Sequence, residues 1–422
     1  MVDELKSNIK EGCGLKGRPS GACAGSAKPC CSGTQVVNIP ELKTANIIPP
    51  ATDYQFNLKK LYIEPTNRCN LDCRTCMRNS WDEPMGNMSE DAFRHILDGL
   101  KTFSPVPEVF FGGFGEPLFH PRIVEMVSEA KKIGATVKLI TNGILLTPVM
   151  AQNLLDTGID LIWISIDGAT PESYADIRLG ASLPQVIENV TRFNEIILST
   201  SSIACCAFIP KYKTKLGITF VAMKRNIADL PAVLKLGRRL NVERFLVTNI
   251  LPYTEEMQDE ILYANLTDSY GHPSLTLPRI DPNFLSLDAL YREVDTVNWL
   301  DSLPQDNLNH CPFIDNDCGA ISWDGGFSPC LALLHTNGTY VRDIKHVSKR
   351  WTIGRIQDQS LPKLWFAPEH LAFRDRVKKF DFAPCTNCGS CDLFEYNEED
   401  CYGNAFPVCG GCLWAQGIVR CP

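Results

Sequence analysis

Six apolar runs recur through the middle of the chain: LYIEP (61–65), EVFFGG (108–113), VKLITN (137–142), LIWISID (161–167), GITFVAM (217–223) and RFLVTNI (244–250). Each is short, β-branched or aromatic, and nearly continuous in its apolar character, as expected of parallel strands buried on both faces. Between them lie amphipathic stretches with helix-start chemistry. Ser89 precedes EDAFRHILDGL, Thr147-Pro148 opens a helix that ends before Gly158, and Thr170-Pro171-Glu172 opens another. A further helix from Ile227 to Leu240 supplies the last crossover. Strand and helix alternating six times predict βα units around one parallel sheet. The pattern alone leaves an open sheet and a partial barrel equally available.

Periodicity fails outside this middle part. Residues 1–58 are rich in Gly, Ser and Pro and carry Cys13, Cys23, Cys30 and Cys31. Without an apolar core they read as a tail bearing thiols, or as a further cluster or partner site. Residues 251–310 are acidic and punctuated by proline, and read as a bridge. Residues 311–422 have short apolar runs broken by Gly, Pro and Cys, with one helix foreseen within 364–380. Such a region is expected to be organised by bound metal rather than by a large core.

Composition narrows the chemistry. The chain has 422 residues, 44% of them hydrophobic and 21% charged, enough for a large core and two or three domains. A net charge of −8 offers no basic surplus for nucleic-acid phosphates. No apolar stretch is long enough for a membrane span, and MVDELKSNIK lacks the apolar core of an export signal. The expectation is therefore a cytoplasmic protein, with no membrane and no nucleic acid among its partners. Nineteen cysteines in a reducing compartment favour metal ligation over disulfides, and an odd number cannot all pair.

The stretch EPTNRCNLDCRTCMRNSW places Cys69, Cys73 and Cys76 at C-x3-C-x2-C directly after the first strand. Three thiolates on one loop can hold three corners of a [4Fe–4S] cluster and leave the fourth iron open. Structural zinc would want a fourth nearby ligand, which this loop lacks. Ten further cysteines, 311, 318, 330, 385, 388, 391, 401, 409, 412 and 421, include three overlapping or separate C-x2-C pairs. They signal metal, either iron–sulfur clusters or structural zinc. Cys205 and Cys206 in SIACCAF read as packed small side chains, and His120 and His310 as locally structural.

The loop C-x3-C-x2-C after a first strand resembles the radical S-adenosylmethionine (SAM) superfamily over roughly residues 58–250. The resemblance implies a partial (β/α)6 TIM-type barrel over residues 59–250, with the site at the C-terminal ends of the strands. It further implies that the open iron chelates SAM, whose reductive cleavage releases a 5′-deoxyadenosyl radical. Thr75 departs from the aromatic residue common before the third cysteine, so an adenine contact must come from elsewhere. Further motifs fall at strand ends. GGFGEP resembles the turn that receives SAM's amino group, with Gly112, Gly113 and Gly115 permitting close approach and Glu116 supporting the turn or the ammonium. By the same resemblance Asn142 of TNG and Ser165 of SIDG face the cofactor, and Arg178 pairs with its carboxylate. Asp167 either joins them or caps the following turn. Met223 and Asn226 of AMKRN touch ribose or adenine, or Met223 simply packs.

The span from Cys311 through Gly325 to Cys330 resembles the opening of the SPASM domain, which implies two auxiliary [4Fe–4S] clusters in a cysteine-rich iron–sulfur C-terminal domain, residues 311–422. The implied allocation groups Cys311, Cys318 and Cys330 with a later cysteine such as Cys401. Cys385, Cys388 and Cys391 are then closed by Cys409, Cys412 or Cys421. The spacing C-x2-C-x2-C departs from the usual C-x2-C-x5-C, which leaves the allocation open. Whole phrases at both ends, LYIEPTNRCNLDCRTCMRNSW and NEEDCYGNAFPVCGGCLWAQGIVRCP, resemble the maturases of tungsten-containing oxidoreductases. They imply modification of a tungsten oxidoreductase or its tungsten–pterin cofactor, hence a protein, peptide or protein-bound cofactor as substrate, with a low-potential donor such as ferredoxin or flavodoxin. The competing readings are a ribosomal-peptide-modifying enzyme of the same superfamily and a non-catalytic electron-transfer or zinc-stabilised protein. The general acid or base has no signature in the chain.

Overall fold

In the computed structural model all six apolar runs become strands, because a run apolar on both faces is satisfied only between neighbouring strands and covering layers. The structure describes residues 57–204, 207–209, 211–262, 264–267, 273–276, 310–341, 344–388 and 391–422. The N-terminal cysteines 13, 23, 30 and 31, the pair 205–206, most of the bridge and the side chain of Cys388 lie outside the described residues. Strands β1 (Lys60–Ile63), β2 (Glu108–Phe111), β3 (Val137–Thr141) and β4 (Leu161–Ser165) run parallel. A short hairpin of β5 (Ser202–Ala204) and β6 (Ala207–Ile209) follows, then β7 (Lys215–Ala222) and β8 (Arg244–Asn249) complete the parallel array β1-β2-β3-β4-β7-β8.

The connecting helices are α1 (Glu90–Leu100), α2 (Ile123–Lys132), α3 (Pro148–Thr157), α4 (Pro171–Ile177), α5 (Leu183–Ser199) and α6 (Leu230–Arg239). The starts of α1, α3 and α4 follow side-chain capping: Ser89 accepts from the Ala92 amide, Thr147 from Met150, and Thr170 forms a reciprocal box with Ser173. Gly158 closes α3 in the left-handed conformation at φ 76°. In α1, Ala92, Phe93, Ile96, Leu97 and Leu100 are buried at helical spacing against the sheet. The 17-residue α5 had no sequence counterpart, its Pro184 standing at the start rather than breaking it.

The sheet continues past β1. A hairpin of β9 (Ala264–Thr267) and β10 (Pro273–Thr276) precedes β11 (Cys318–Ile321), which pairs parallel with β1 from Lys60↔Cys318 to Ile63↔Ile321. β12 (Gly326–Ser328) is antiparallel to β11 and β15 (Gly354–Arg355) antiparallel to β12, while β13 (Asn337–Val341) and β14 (Ile344–Ser348) form a separate hairpin. Nine strands thus form one sheet, β15-β12-β11-β1-β2-β3-β4-β7-β8, and residues Gln55–Pro422 pack as one compact unit.

Two apolar cores divide the faces of the strands. Leu61, Ile63, Val109, Phe111, Ile162 and Ile164 pack under the helices. Tyr62, Phe110, Leu161 and Trp163, on the other face, pack against Phe313, Ile314, Leu413, Trp414 and Ile418. This corrects the expectation of a metal-organised region without a large core, since the cysteine-rich region shares a core with the barrel interior. Residues 418–422 also reach from β8 to β1: Ile418 O accepts from Asn249, the Arg420 amide donates to Thr248, and Pro422 O accepts from Lys60 and Tyr62. The helix foreseen within 364–380 is two helices, Leu361–Trp365 and Pro368–Lys379. Pro368 forces Ala367 into extended backbone at ψ 135°, so the first helix stops before it. Among the described residues no helix is long and apolar enough to cross a membrane.

Candidate active site and cysteine pockets

The loop after β1 is built to present sulfur. The Leu71 amide donates to Cys69 Sγ at 3.4 Å, and Arg78 Nε donates to Cys76 Sγ at 3.3 Å while its Nη2 holds Leu71 O at 2.6 Å. Amides of Asp72 and Arg74 donate to Leu179 O and Ile177 O, which pins the loop to the end of α4. Cys69, Cys73 and Cys76 are half-buried; burial raises the Cys69 thiol, and the nearby Cys76 adds to the rise at both Cys69 and Cys73. Burial is the largest influence on Cys73, pushing its thiol up to about 11 against the lowering effect of Arg178. Among the described residues no three His, Cys, Asp or Glu side chains close around one metal ion. A cubane holds its iron atoms at separate corners, so its thiolates stand farther apart than the ligands of a single ion.

The strand ends gather around this loop. The GGFGEP turn packs on the chain after β1: a Cβ on Gly113 would lie 2.7 Å from Glu64 Cγ, and one on Gly115 only 2.0 Å from Thr66 O. The Glu116 amide donates to Arg68 O, and its buried carboxylate accepts from the Leu118 amide, Thr141 Oγ1 and the Asn142 amide. Of the two roles foreseen for Glu116, its three donors support the turn. Asn142 Nδ2 donates to Asn70 Oδ1 at 2.9 Å and lies 3.9 Å from Cys69 Sγ, which places it on the sulfur loop. Ser165 is buried and accepts from Thr219 Oγ1 at 3.1 Å.

Beyond β4 the roles divide. Asp167 accepts from the Val221 amide and pairs with Arg178 at 2.6 Å. Arg178 is raised despite burial, chiefly by Asp167 and then Cys73, and its Nε is buried with no hydrogen-bond partner. An orphaned guanidinium N–H, on an arginine whose charge acts on Cys73, is the kind of donor a ligand carboxylate satisfies. Met223 and Asn226, foreseen as ribose or adenine contacts, have packing and hydrogen-bond partners within the chain. Met223 is fully buried with Ile177, Ile250 and Met257. The Asn226 amide is spent on Met223 N, Asp167 O and Val221 O.

Four distal cysteines come together. Cys311, Cys330, Cys409 and Cys412 line one cavity with Phe313, Leu333, Phe373 and Trp414. Burial pushes Cys311 up to about 12 with Cys412 adding to it, and raises Cys330 and Cys409, each further raised by others of the set. Cys318, grouped with Cys311 and Cys330 in the implied allocation, has its thiol beside Lys60 with Cys421, whose sulfur accepts from Trp414 Nε1 at 3.4 Å. Cys385 is buried, whereas Cys391 and Cys401 are exposed. The Ala383 amide donates to Asp400 Oδ2 at 3.0 Å, which brings the turn carrying Cys401 beside Cys385.

Sequence reasoning passed over Glu64 and His335. His335 Nε2 meets Glu64 Oε2 at 2.8 Å and its Nδ1 meets Glu83 at 2.5 Å, while Glu64 Oε1 accepts from the Phe114 amide of the GGFGEP turn. An acidic residue ending a buried strand was the available signal for Glu64; nothing in the sequence paired it with a histidine 271 residues away. His120 and His310 have the local partners anticipated, Met88 O with the Arg122 amide, and Asp315.

Residues 63–210 match the radical SAM superfamily and residues 311–392 an iron–sulfur cluster-binding domain, SPASM. The tungsten-containing aldehyde ferredoxin oxidoreductase cofactor-modifying protein of Pyrococcus furiosus is 32% identical over 372 residues, 86% of this chain and 97% of the relative. A probable GTP 3′,8-cyclase of Methanocaldococcus jannaschii is 26% identical over 65% of this chain and 85% of its own. In fold the chain is similar to Streptococcus suis SuiB bound to S-adenosylmethionine, with TM-score 0.54 and 17% identity over 81% of this chain and 72% of that one. It is likewise similar to anSMEcpe with bound AdoMet, with TM-score 0.51 and 16% identity over 85% and 95%. With its sulfur loop at the mouth of a partial barrel and its distal cysteines in a SPASM region, the chain belongs to the radical SAM superfamily, in the family of the tungsten oxidoreductase cofactor-modifying protein.

Proposed function

We propose that this enzyme modifies a tungsten oxidoreductase or its tungsten–pterin cofactor. The observation that carries this reading is the 32% identity along 97% of a relative named for cofactor modification, because it spans the barrel and the cysteine-rich region together. The likeness to SuiB, at 17% identity, carries the fold alone and does not favour a peptide substrate.

In this reading Cys69, Cys73 and Cys76 hold a [4Fe–4S] cluster with one open iron, and SAM bound there supplies the 5′-deoxyadenosyl radical. The chain's own residues orient and enclose. Arg178 offers its unpartnered Nε to SAM's carboxylate, while Asp167 fixes the guanidinium plane. The turn at Gly112, Gly113 and Gly115, tied down by Glu64 and Glu116, presents its backbone to the amino group. Arg78 and Asn142 face sulfur with N–H groups and stabilise negative charge on the ligands.

Two auxiliary clusters use eight of the ten distal cysteines. Cys311, Cys330, Cys409 and Cys412 hold one, as their shared cavity supports. Cys385, Cys388, Cys391 and Cys401 hold the other, leaving Cys318 and Cys421 as buried thiols. A low-potential ferredoxin or flavodoxin supplies electrons, in the reducing cytoplasm that nineteen cysteines suit.

The test is anaerobic reconstitution with iron, sulfide, dithionite and SAM, with and without a tungsten oxidoreductase lacking its mature cofactor. Release of 5′-deoxyadenosine above a Cys73→Ala control, stimulated by that partner and accompanied by a mass change in its cofactor or chain, is the expected result. Stimulation by a precursor peptide and not by the tungsten enzyme would sink the proposed substrate.

A further inference from the structure

The Glu64–His335–Glu83 bridge joins two sites that lie far apart in sequence. Glu64 and His335 side chains are fully buried, and Glu83 is 19% exposed. Both ring nitrogens of His335 face carboxylate oxygens, so each must carry a proton and the ring is an imidazolium. Glu83 also accepts from the Thr336 amide at 2.9 Å and lies 3.7 Å from Arg350. The Trp81 and Phe114 rings pack on the imidazole at 4.3 and 5.9 Å between centroids.

One end of this bridge is the Phe114 amide, in the turn read above as the seat of SAM's amino group. The other end is tied to the four-cysteine cavity. Cys330 caps the 3-10 turn Leu331–Leu333, Leu334 closes it, and Asn337 donates to Ala332 O and His335 O. Few soft dihedrals separate Cys330 from His335, so a shift of one moves the other. A buried imidazolium displaced from its carboxylates would leave Glu64 charged and unpaired, which the fold strongly resists.

We propose that His335 is a positioning residue that couples the four-cysteine cavity to the SAM turn, so that SAM affinity depends on a loaded cavity. This rests on reading the turn as the SAM seat and the cavity as a cluster site. Coupling of this kind is reciprocal and is read as non-additivity between the two ends.

The experiment measures the dissociation constant for SAM on anaerobically reconstituted enzyme, by titrating the cluster's electron paramagnetic resonance signal, with iron content determined in parallel. His335→Gln should weaken SAM about tenfold with all iron retained, an ordinary magnitude for intersite coupling. Cys412→Ala should weaken it to a similar degree while losing one cluster, and the double variant should be no weaker than the worse single variant. Asp160 accepts from Lys131 and from the Val137 amide at the start of β3, the end remote from the TNG motif; Asp160→Asn, a destabilising control there, should leave SAM affinity unchanged. Should His335→Gln not fold, Glu83→Gln replaces it, with a rise of at least threefold expected from loss of the outer carboxylate. SAM affinity within twofold of the parent in the folded variant, or additive losses in the double variant, overturns the coupling. Absence of SAM binding by the parent enzyme would instead strike the proposed function.

Discussion

At the scale of single residues the site is a set of donors aimed at absent or soft acceptors. Arg178 presents a buried Nε without a partner, and Asp167 pairs with its Nη2. Arg178→Lys keeps the charge but loses the fork, and should weaken SAM by about 10- to 100-fold, the worth of one charged hydrogen bond of about 1.5–3 kcal/mol. Equilibrium binding to the reconstituted enzyme measures it, and unchanged affinity would remove Arg178 from the cofactor. Gly115 serves a different end, since its missing Cβ leaves room for Thr66 O. Gly115→Ala should cost about 1–3 kcal/mol by overpacking, seen as a lower denaturation midpoint. The glycine motif was legible as a close approach, but the approaching partner was not: it is the chain's own backbone.

At the scale of elements, capping chemistry and apolar period foretold where strands and helices begin. Ser89→Ala should destabilise α1 by about 1 kcal/mol, through loss of the bond to the Ala92 amide, and thermal unfolding would register it. What periodicity does not encode is the tie between elements. His335 links the end of β1, the loop carrying Glu83 and the turn after Cys330. Burial opposes its charge, yet Glu64 and then Glu83 outweigh burial and raise it to about 9 from 6.5. A raised value means that the folded state holds the proton more tightly than the unfolded chain. The stability it contributes is complete below pH 6.5 and is lost as pH rises through 9. Between those limits the parent's melting temperature should fall more steeply than that of His335→Gln; parallel slopes would deny the imidazolium its place.

For the whole molecule, one sheet runs through both cysteine-bearing regions, and the barrel's inner face shares its core with Leu413, Trp414 and Ile418. The distal cysteines are therefore built against the barrel rather than hung from it. Cys409→Ala and Cys385→Ala should each lower iron content by about four atoms per chain, one cubane. Cys318→Ala should lose none, because Cys318 lies beside Lys60 and outside the four-cysteine cavity. Iron analysis with Mössbauer spectra decides this, and loss of a cluster on Cys318→Ala would restore the allocation that the SPASM resemblance implies.

The sequence by itself determined the six parallel strands, their capped helices and the sulfur loop after β1. These are local properties, written in apolar period, capping residues and ligand spacing over a few residues. Only the tertiary structure decided which distal cysteines share a cavity, that Met223 packs with Ile177, Ile250 and Met257, and that His335 reaches Glu64. Those outcomes depend on which faces of remote segments are buried together, and burial is settled by the fold as a whole rather than by any stretch of the chain.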